Sequence, residues 1–307
     1  MYLQALTLRL AEGLGRVSDD WRGRHADYLR RVQRADGGFA GREGESDLYY
    51  TSFALRGLAL LGELHGDVAE RAAAFLRSRL TGEVPLVDFL SLIFAATTLR
   101  VAAGHDVLSA GGAGWPEAVA ASFESLRRAD GGYAKTPAGQ ASSLYHSFLV
   151  VLCRQLIEHP VPAPERLVSF VLARRREDGG FVEMNVMKRS GTNPTAAAVA
   201  LLAIFSALDG AVRADAVEFL ADMQTDEGGL RANTRIPIAD LLSTFTGLVS
   251  LADLGSLDRI DLHAARAYVD SLQLSGGGFR GAAWDPACDV EYTFYGLGAT
   301  ALLAVAV

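Results

Sequence analysis

A chain of 307 residues, half of them hydrophobic and 21% charged, has ample apolar material for a core and is too hydrophobic for intrinsic disorder. Its formal net charge of −7 argues against non-specific binding to nucleic acid, so no nucleic-acid partner is expected. No apolar run reaches the ~18 residues of a membrane span, and two cysteines, Cys153 and Cys288, make no disulfide framework.

Residues 1–17 read as an amphipathic helix (Leu3, Leu6, Leu8, Leu10, Leu14) without a signal-peptide core, so a cytoplasmic protein is expected. Ser18-Asp19-Asp20 then caps a helix running to Arg34, with a polar face of Arg22, Arg24, Asp27, Arg30 and Arg31. Asp36-Gly37-Gly38-Phe39 ends it, because glycine alone takes positive φ cheaply. A short loop leads to a second helix that begins at Asp47 and is apolar on nearly all sides through Phe53–Leu61.

The same order then recurs. Later polar helices open at Trp115-Pro116-Glu117 and Ala163-Pro164-Glu165, with proline in the first turn. Glycine pairs follow at Asp130-Gly131-Gly132-Tyr133, Asp178-Gly179-Gly180-Phe181, Glu227-Gly228-Gly229-Leu230 and Gly276-Gly277-Gly278-Phe279. Further apolar helices cover Phe148–Leu156, Thr195–Leu208 and Phe294–Val305. The steps between equivalent glycines, from Gly37 onward, are 94, 48, 49 and 49 residues. The first step is nearly double, which places a decayed copy near Gly82-Glu83 and gives six units of about 49 residues. Apolar spacing follows 3.6 rather than 2, so no strands are expected.

Polar helices outside and apolar helices inside predict an all-α fold, an α/α₆ barrel (toroid) of six helical hairpins. It forms one domain over 1–307, with the 1–17 helix packed on it. The inner helices are expected to start at Asp47, Asp88, Ser142, Gly191, Asp240 and Asp289, all at one end of the barrel. Their positive N-termini would favour anions there.

The repeated (D/E)-G-G-(F/Y/L) turns, with the helix starts Asp47-Leu-Tyr-Tyr-Thr-Ser-Phe and Asp289-Val-Glu-Tyr-Thr-Phe-Tyr-Gly-Leu, resemble those of the protein prenyltransferase β-subunits and the related squalene/terpene cyclases. The resemblance covers roughly Asp19 to Val307. It implies isoprenoid chemistry, on a fold that hosts several reactions. In the prenyltransferases an Asp-x-Cys motif and a histidine hold a catalytic zinc. Here Asp240 keeps the only zinc-ligand position, while Leu242 and Tyr292 replace the others. Zinc is therefore not expected, since it needs three protein ligands and an open position. His146 and Cys288 show no metal-pair spacing.

Two chemistries stay open. The family's diphosphate clamp maps onto the loop cations Arg231 and Arg235, among Arg42, Lys135, Lys188, Arg189 and Arg280, with Ser142 at the clamp's histidine position. Mg²⁺ stays open as a companion to a diphosphate. Alternatively, Asp289-Val290-Glu291-Tyr292-Thr293 resembles the Asp-x-Asp-Asp-Thr motif of class II terpene cyclases, whose middle acid protonates an alkene or epoxide. Glu291 takes that place, with Asp289 and Asp240 as accompanying acids. Asp47, Asp88, Asp240 and Asp289 also suit simple helix caps. Tyr49, Tyr50, Tyr145, Tyr292 and Tyr295 should gather at the same end, with Phe53, Phe89, Phe148, Phe245 and Phe294 below, as walls for a polyisoprene or a carbocation.

The leading expectation is an isoprenoid-handling enzyme without the usual zinc, a terpene cyclase or a prenyl transferase with a central apolar cavity, acting on an isoprenoid diphosphate or polyene lipid. The alternatives are a non-catalytic isoprenoid-binding or protein-interaction toroid, and a zinc-dependent protein farnesyl/geranylgeranyltransferase β-like subunit. A helical partner subunit or a homodimer is compatible with each. An α/α₆ glycosidase or lyase is disfavoured by the aliphatic inner helices.

Overall fold

A computed structural model describes residues 1–80, 86–111 and 114–306; the decayed glycine copy at Gly82-Glu83 lies outside the described residues. Thirteen α-helices are present among them. The first, α1, covers Tyr2–Leu14. Then come six hairpins of a polar and an apolar helix: α2 (Asp19–Arg31) with α3 (Leu48–Leu60), α4 (Gly66–Ser78) with α5 (Leu86–Ala103), and α6 (Trp115–Ser125) with α7 (Leu144–Leu156). The series continues with α8 (Pro164–Leu172) and α9 (Thr192–Ile204), α10 (Gly210–Ala221) and α11 (Leu241–Asp253), and α12 (Leu262–Ser271) and α13 (Val290–Ala306). The all-α toroid expectation holds, with one correction. The glycine turns close short antiparallel pairs that periodicity could not reveal: Tyr133–Ala134 (β1) with Ser142–Ser143 (β2), and Phe279–Arg280 (β3) with Cys288–Asp289 (β4). They arise because the two sides of each turn must satisfy each other's backbone groups.

The chain divides into two compact units. One, the mid-chain unit, comprises Met1–Leu3, Pro116–Val269 and Ala306; the other, the split unit, joins Gln4–Trp115 to Asp270–Val305. In the mid-chain unit α7 packs against α9, and α9 against α11, with α8 and α10 also on α9. In the split unit α3 packs against α5, α4 against α5 and α2 against α3.

The glycine pair is a packing device as much as a turn. Gly228 has φ +93°, and a Cβ there would strike the carbonyl of Ala264 on the next polar helix. A Cβ on Gly229 would run into the ring of Tyr268. Gly277 meets the carbonyl of Arg24 in the same way, so within the split unit the sixth hairpin packs on the first. His25 completes that junction, accepting from Gly278 N at 3.0 Å; burial holds its pKa down to about 4, so it stays neutral and can accept.

The residue after each pair (Phe39, Tyr133, Phe181, Leu230, Phe279) is fully buried. Its N–H is satisfied by a hydroxyl one turn into the following apolar helix: Thr51, Ser147, Thr195, Thr244 and Thr293, at 2.9, 2.9, 2.9, 2.9 and 3.2 Å. Losing such an acceptor would orphan a buried donor, which costs about 1–3 kcal/mol.

Those hydroxyls fix the true register of the apolar helices. Four residues earlier stand Asp47, Ser143, Gly191, Asp240 and Asp289. Asp47, Asp240 and Asp289 accept from the N–H three residues on, at 2.8, 2.7 and 2.9 Å, as N-caps do. In the third hairpin the cap is Ser143, not Ser142; the 48-residue step moves it by one. Asp88 is not a helix start either. It is the third residue of α5, which begins at Leu86.

Candidate active site

The split unit assembles one compact polar cluster at the start of α13. Glu291 is the second residue of that helix, past the cap, so its side chain is free of the capping role. Its Oε1 accepts two hydroxyls, from Tyr49 on α3 at 2.7 Å and from Tyr295 one turn along α13 at 3.0 Å. Burial pushes the Glu291 carboxyl above its ordinary value. The two tyrosine hydrogen bonds oppose that, the charge of Asp289 adds to it, and Arg42 offsets it further.

Asp289 is buried and does two jobs. One oxygen caps α13, and the other receives Arg42 Nε at 3.1 Å; Arg42 also holds Asp285 at 2.6 Å. Burial still raises the Asp289 pKa, against the cap and the guanidinium. Asp47 is likewise raised, first by burial and then by the nearby charge of Asp88. Arg42 lies 5.6 Å from the Tyr292 ring centroid, and that ring is seated on Gly281. Tyr50 sits on Gly41 in the same manner, and burial and the surrounding acids raise its pKa.

Below the acid lies an aromatic wall. Phe53 packs edge-on against Tyr49 at 5.0 Å and Tyr295 at 5.3 Å, and tilted against Phe294 at 5.5 Å. Tyr49, Tyr50, Phe53 and Arg56 recur along α3 at helical spacing and are only partly buried, so that face of α3 is accessible. Arg56 extends the wall, its guanidinium 4.0 Å from the Phe294 centroid, 5.4 Å from Phe94 and 5.5 Å from Phe53. Sequence reasoning missed Arg56. The signal was a lone charge inside the otherwise apolar helix Leu48–Leu60.

The structure thus brings Asp47, Tyr49, Tyr50, Asp88, Asp289, Glu291, Tyr292 and Tyr295 into one unit. The other predicted site residues belong to the mid-chain unit and have local partners. Ser142 donates to Asp130 at 2.7 Å and, with Arg128, Arg174 and Met184, lines a groove of about 460 Å³. Ser143 donates to Glu183, a carboxylate from the next hairpin's loop that also receives Tyr145 N. His146 Nδ1 is 2.8 Å from Ser143 Oγ; burial, then Lys135, lower its pKa. Tyr145 is exposed. Arg231 places its guanidinium on the backbone carbonyl of Asp222 at 3.0 Å, as Arg280 does on Ser271 at 2.9 Å. Arg235 is exposed. Asp240 spends both oxygens on Ser243, its N–H at 2.7 Å and its hydroxyl at 2.8 Å, and burial raises its pKa. Among the described residues, no group of three His, Cys, Asp or Glu side chains is placed to hold a metal ion. No described helix is long and apolar enough to cross a membrane.

The model of the prenyltransferase alpha-alpha toroid domain matches residues 2–84 and 101–306. The chain belongs to this family. Among solved structures, its fold is similar to Candida albicans protein geranylgeranyltransferase-I complexed with GGPP, with a TM-score of 0.74, 16% identity, and 92% of this chain and 90% of that one covered. A type II terpene cyclase from Scytonema, complexed with geranylgeranyl dihydroxybenzoate, matches with a TM-score of 0.62 and 15% identity over 99% of this chain and 100% of the other. A glycosidase matches with a TM-score of 0.58 and 14% identity over 97% of both chains. No curated protein matches the sequence. At such identities the toroid family's shared fold is established, while the reaction must be argued from the site.

Proposed function

We propose that this toroid-family chain is an isoprenoid-handling enzyme in which Glu291 is the general acid that protonates a polyene or its epoxide. The supporting observation is the Glu291 carboxyl itself. It is displaced from the cap, raised in pKa by burial, and oriented by two tyrosine hydroxyls on one oxygen. An acid so placed keeps its proton to higher pH than an exposed glutamate, as general acid catalysis near neutrality requires.

In the proposed step the alkene π pair takes the proton from Glu291. A C–H bond forms, the O–H bond breaks, and positive charge appears on the neighbouring carbon. The carboxylate left behind is stabilised by Tyr49 and Tyr295. The faces of Tyr49 and Tyr295 attract the developing cation. Loss of a proton to water, or addition of water, ends the reaction, and Glu291 is reprotonated from solvent. Arg56 stands seven residues, about 10 Å, along the same helix from Tyr49. A guanidinium there repels a carbocation and suits an anionic end of the substrate, so the reacting double bond is assigned to the Glu291 end.

The competing route, diphosphate ionisation by Arg231 and Arg235, has weaker support. Arg231 is committed to a helix-end carbonyl. Mg²⁺ enters the reading only with a diphosphate substrate. Zinc is left out of the proposal because Leu242 offers no ligand atom and Asp240 is saturated by Ser243.

The test is turnover of a set of polyenes, polyene epoxides and prenyl diphosphates by the native chain, Glu291→Gln and Arg235→Ala. Glu291→Gln is expected to lower the rate by about 10²–10⁴ with substrate still bound. A damaging Arg235→Ala with a mild Glu291→Gln supports diphosphate ionisation instead. Binding without turnover by the native chain supports the non-catalytic reading.

A further inference from the structure

The loops that precede α7, α9 and α11 present an apolar, basic surface that no step of the proposed reaction uses. Residues 134–141, 184–189 and 231–238 contain Lys135, Lys188, Arg189, Arg231 and Arg235 and no acid, in a chain whose net charge is −7. Large apolar side chains stand out from the same loops: Val186 is 82% exposed, Met187 43%, Ile236 39% and Ile238 40%. Tyr145, at the start of α7, is exposed beside them in sequence order.

These side chains are held out by an ordered backbone. Arg176 Nη2 donates to the carbonyls of Asn185 and Met187, at 3.1 and 3.3 Å, and so props the loop that carries Val186. Arg128 does the same for the preceding loop through the carbonyls of Thr136, Pro137 and Gly139. Adjacent loops are stitched together, Leu144 N donating to Glu183 O at 3.1 Å and Thr192 N to Ala232 O at 2.9 Å. Pro237, between the two isoleucines, adds stiffness. Propped apolar tips are a costly surface to leave in water, and cations flank them here, with Glu183 at the loop base bonded to Ser143 and to Tyr145 N. Their combination matches an interface with apolar chains beneath an anionic headgroup layer.

We propose that this face of the mid-chain unit docks on an anionic lipid bilayer, with Val186, Met187, Ile236 and Ile238 entering the headgroup region and Lys135, Lys188, Arg189 and Arg235 pairing with lipid phosphates. The inference does not depend on Glu291 or on any reaction. It would give an insoluble isoprenoid a short route from membrane to protein.

The experiment is co-sedimentation of the purified full chain with vesicles of phosphatidylcholine, with and without phosphatidylglycerol, at low and high salt. Binding is expected with phosphatidylglycerol and should weaken with salt. The Val186→Ser, Met187→Ser, Ile236→Ser, Ile238→Ser variant should lose binding while keeping the native melting temperature and the native rate on detergent-dispersed substrate. The Lys188→Glu, Arg189→Glu, Arg235→Glu variant should lose at least ~100-fold in partition, at about fivefold per cation. A single Val186→Glu serves if either multiple variant fails to fold. No partition onto anionic vesicles, equal partition by all variants, or binding only to an acidic apolar peptide would overturn the proposal. Each of those outcomes leaves the Glu291 turnover test untouched.

Discussion

Replacing Glu291 by glutamine tests the acid separately from any substrate. The amide oxygen can accept both hydroxyls that reach Oε1, from Tyr49 at 2.7 Å and Tyr295 at 3.0 Å, so packing is preserved. What disappears is the proton equilibrium. Burial lifts the folded pKa above the ordinary glutamate value of 4.5, so the folded protein holds this proton more tightly than the unfolded chain does. The stabilisation from this group is therefore fully present below the unfolded pKa and is lost as pH rises through the folded pKa. Glutamine has no such slope. Denaturant unfolding of the native chain and of Glu291→Gln from about pH 4.5 to about pH 8 should show the native chain falling steadily below the variant as pH rises. At the acid end the two should agree within about 0.5 kcal/mol, as for an isosteric surface-like change. Asp47 and Asp240 are raised in the same direction, but they are common to both proteins and cancel in the difference, whereas Asp289 interacts with Glu291 and shifts with it. Turnover should fall on the alkaline side, because only the protonated acid reacts. A native-minus-variant difference that is flat with pH, or that becomes more positive with it, would refute the argument that burial raises the pKa of this carboxyl.

Tyr49→Phe and Tyr295→Phe each remove a hydrogen bond that favours the carboxylate, so each should move the alkaline limb of the pH–rate profile upward and cost about 0.5–1.5 kcal/mol in denaturant unfolding. Thr293→Val and Thr244→Val should each destabilise by about 1–3 kcal/mol, because both leave a buried N–H without its acceptor; a large rate loss at unchanged stability would assign Thr293 to the chemistry instead. Prolonged dialysis against a chelator should leave both fold and polyene turnover unchanged; loss of activity restored by zinc alone would point to a ligand set involving Asp240.

The repeat was legible because its cause is backbone sterics. Gly228 and Gly229 lie against a carbonyl and a ring of the neighbouring helix, and no other residue fits there. A requirement that recurs with each hairpin is printed in the sequence as a period. The cap register was nearly legible, failing by one residue at Ser142 because a fixed step of 49 hides the single step of 48. Asp88 was misplaced for a related reason: near the decayed copy no glycine pair anchors the count. The cluster around Glu291 was harder. Tyr49 and Glu291 are separated by 242 residues, and only the fold states that their side chains meet. Arg56 was visible as a charge in an apolar helix, with Phe53 one turn before it, but its ring partners Phe94 on α5 and Phe294 on α13 are encoded by nothing local.

The repeat also changes the weight of the motif that suggested cyclase chemistry. In Asp289-Val290-Glu291-Tyr292-Thr293, the aspartate caps its helix as Asp47 and Asp240 do. The threonine bonds the turn's buried N–H as Thr51, Thr195 and Thr244 do. Both letters are demanded by the scaffold, so their presence says nothing about a reaction. The third position is different. Its equivalents in the other anchored hairpins are Tyr49, Tyr145, Asn193 and Leu242, a set with no common structural task. Freed from the scaffold, that position can follow function, and in the last hairpin it is the carboxyl that two tyrosines orient and whose pKa burial raises. The case for acid chemistry therefore rests on Glu291 and its neighbours rather than on the five-residue match, which is why a single isosteric substitution there decides it.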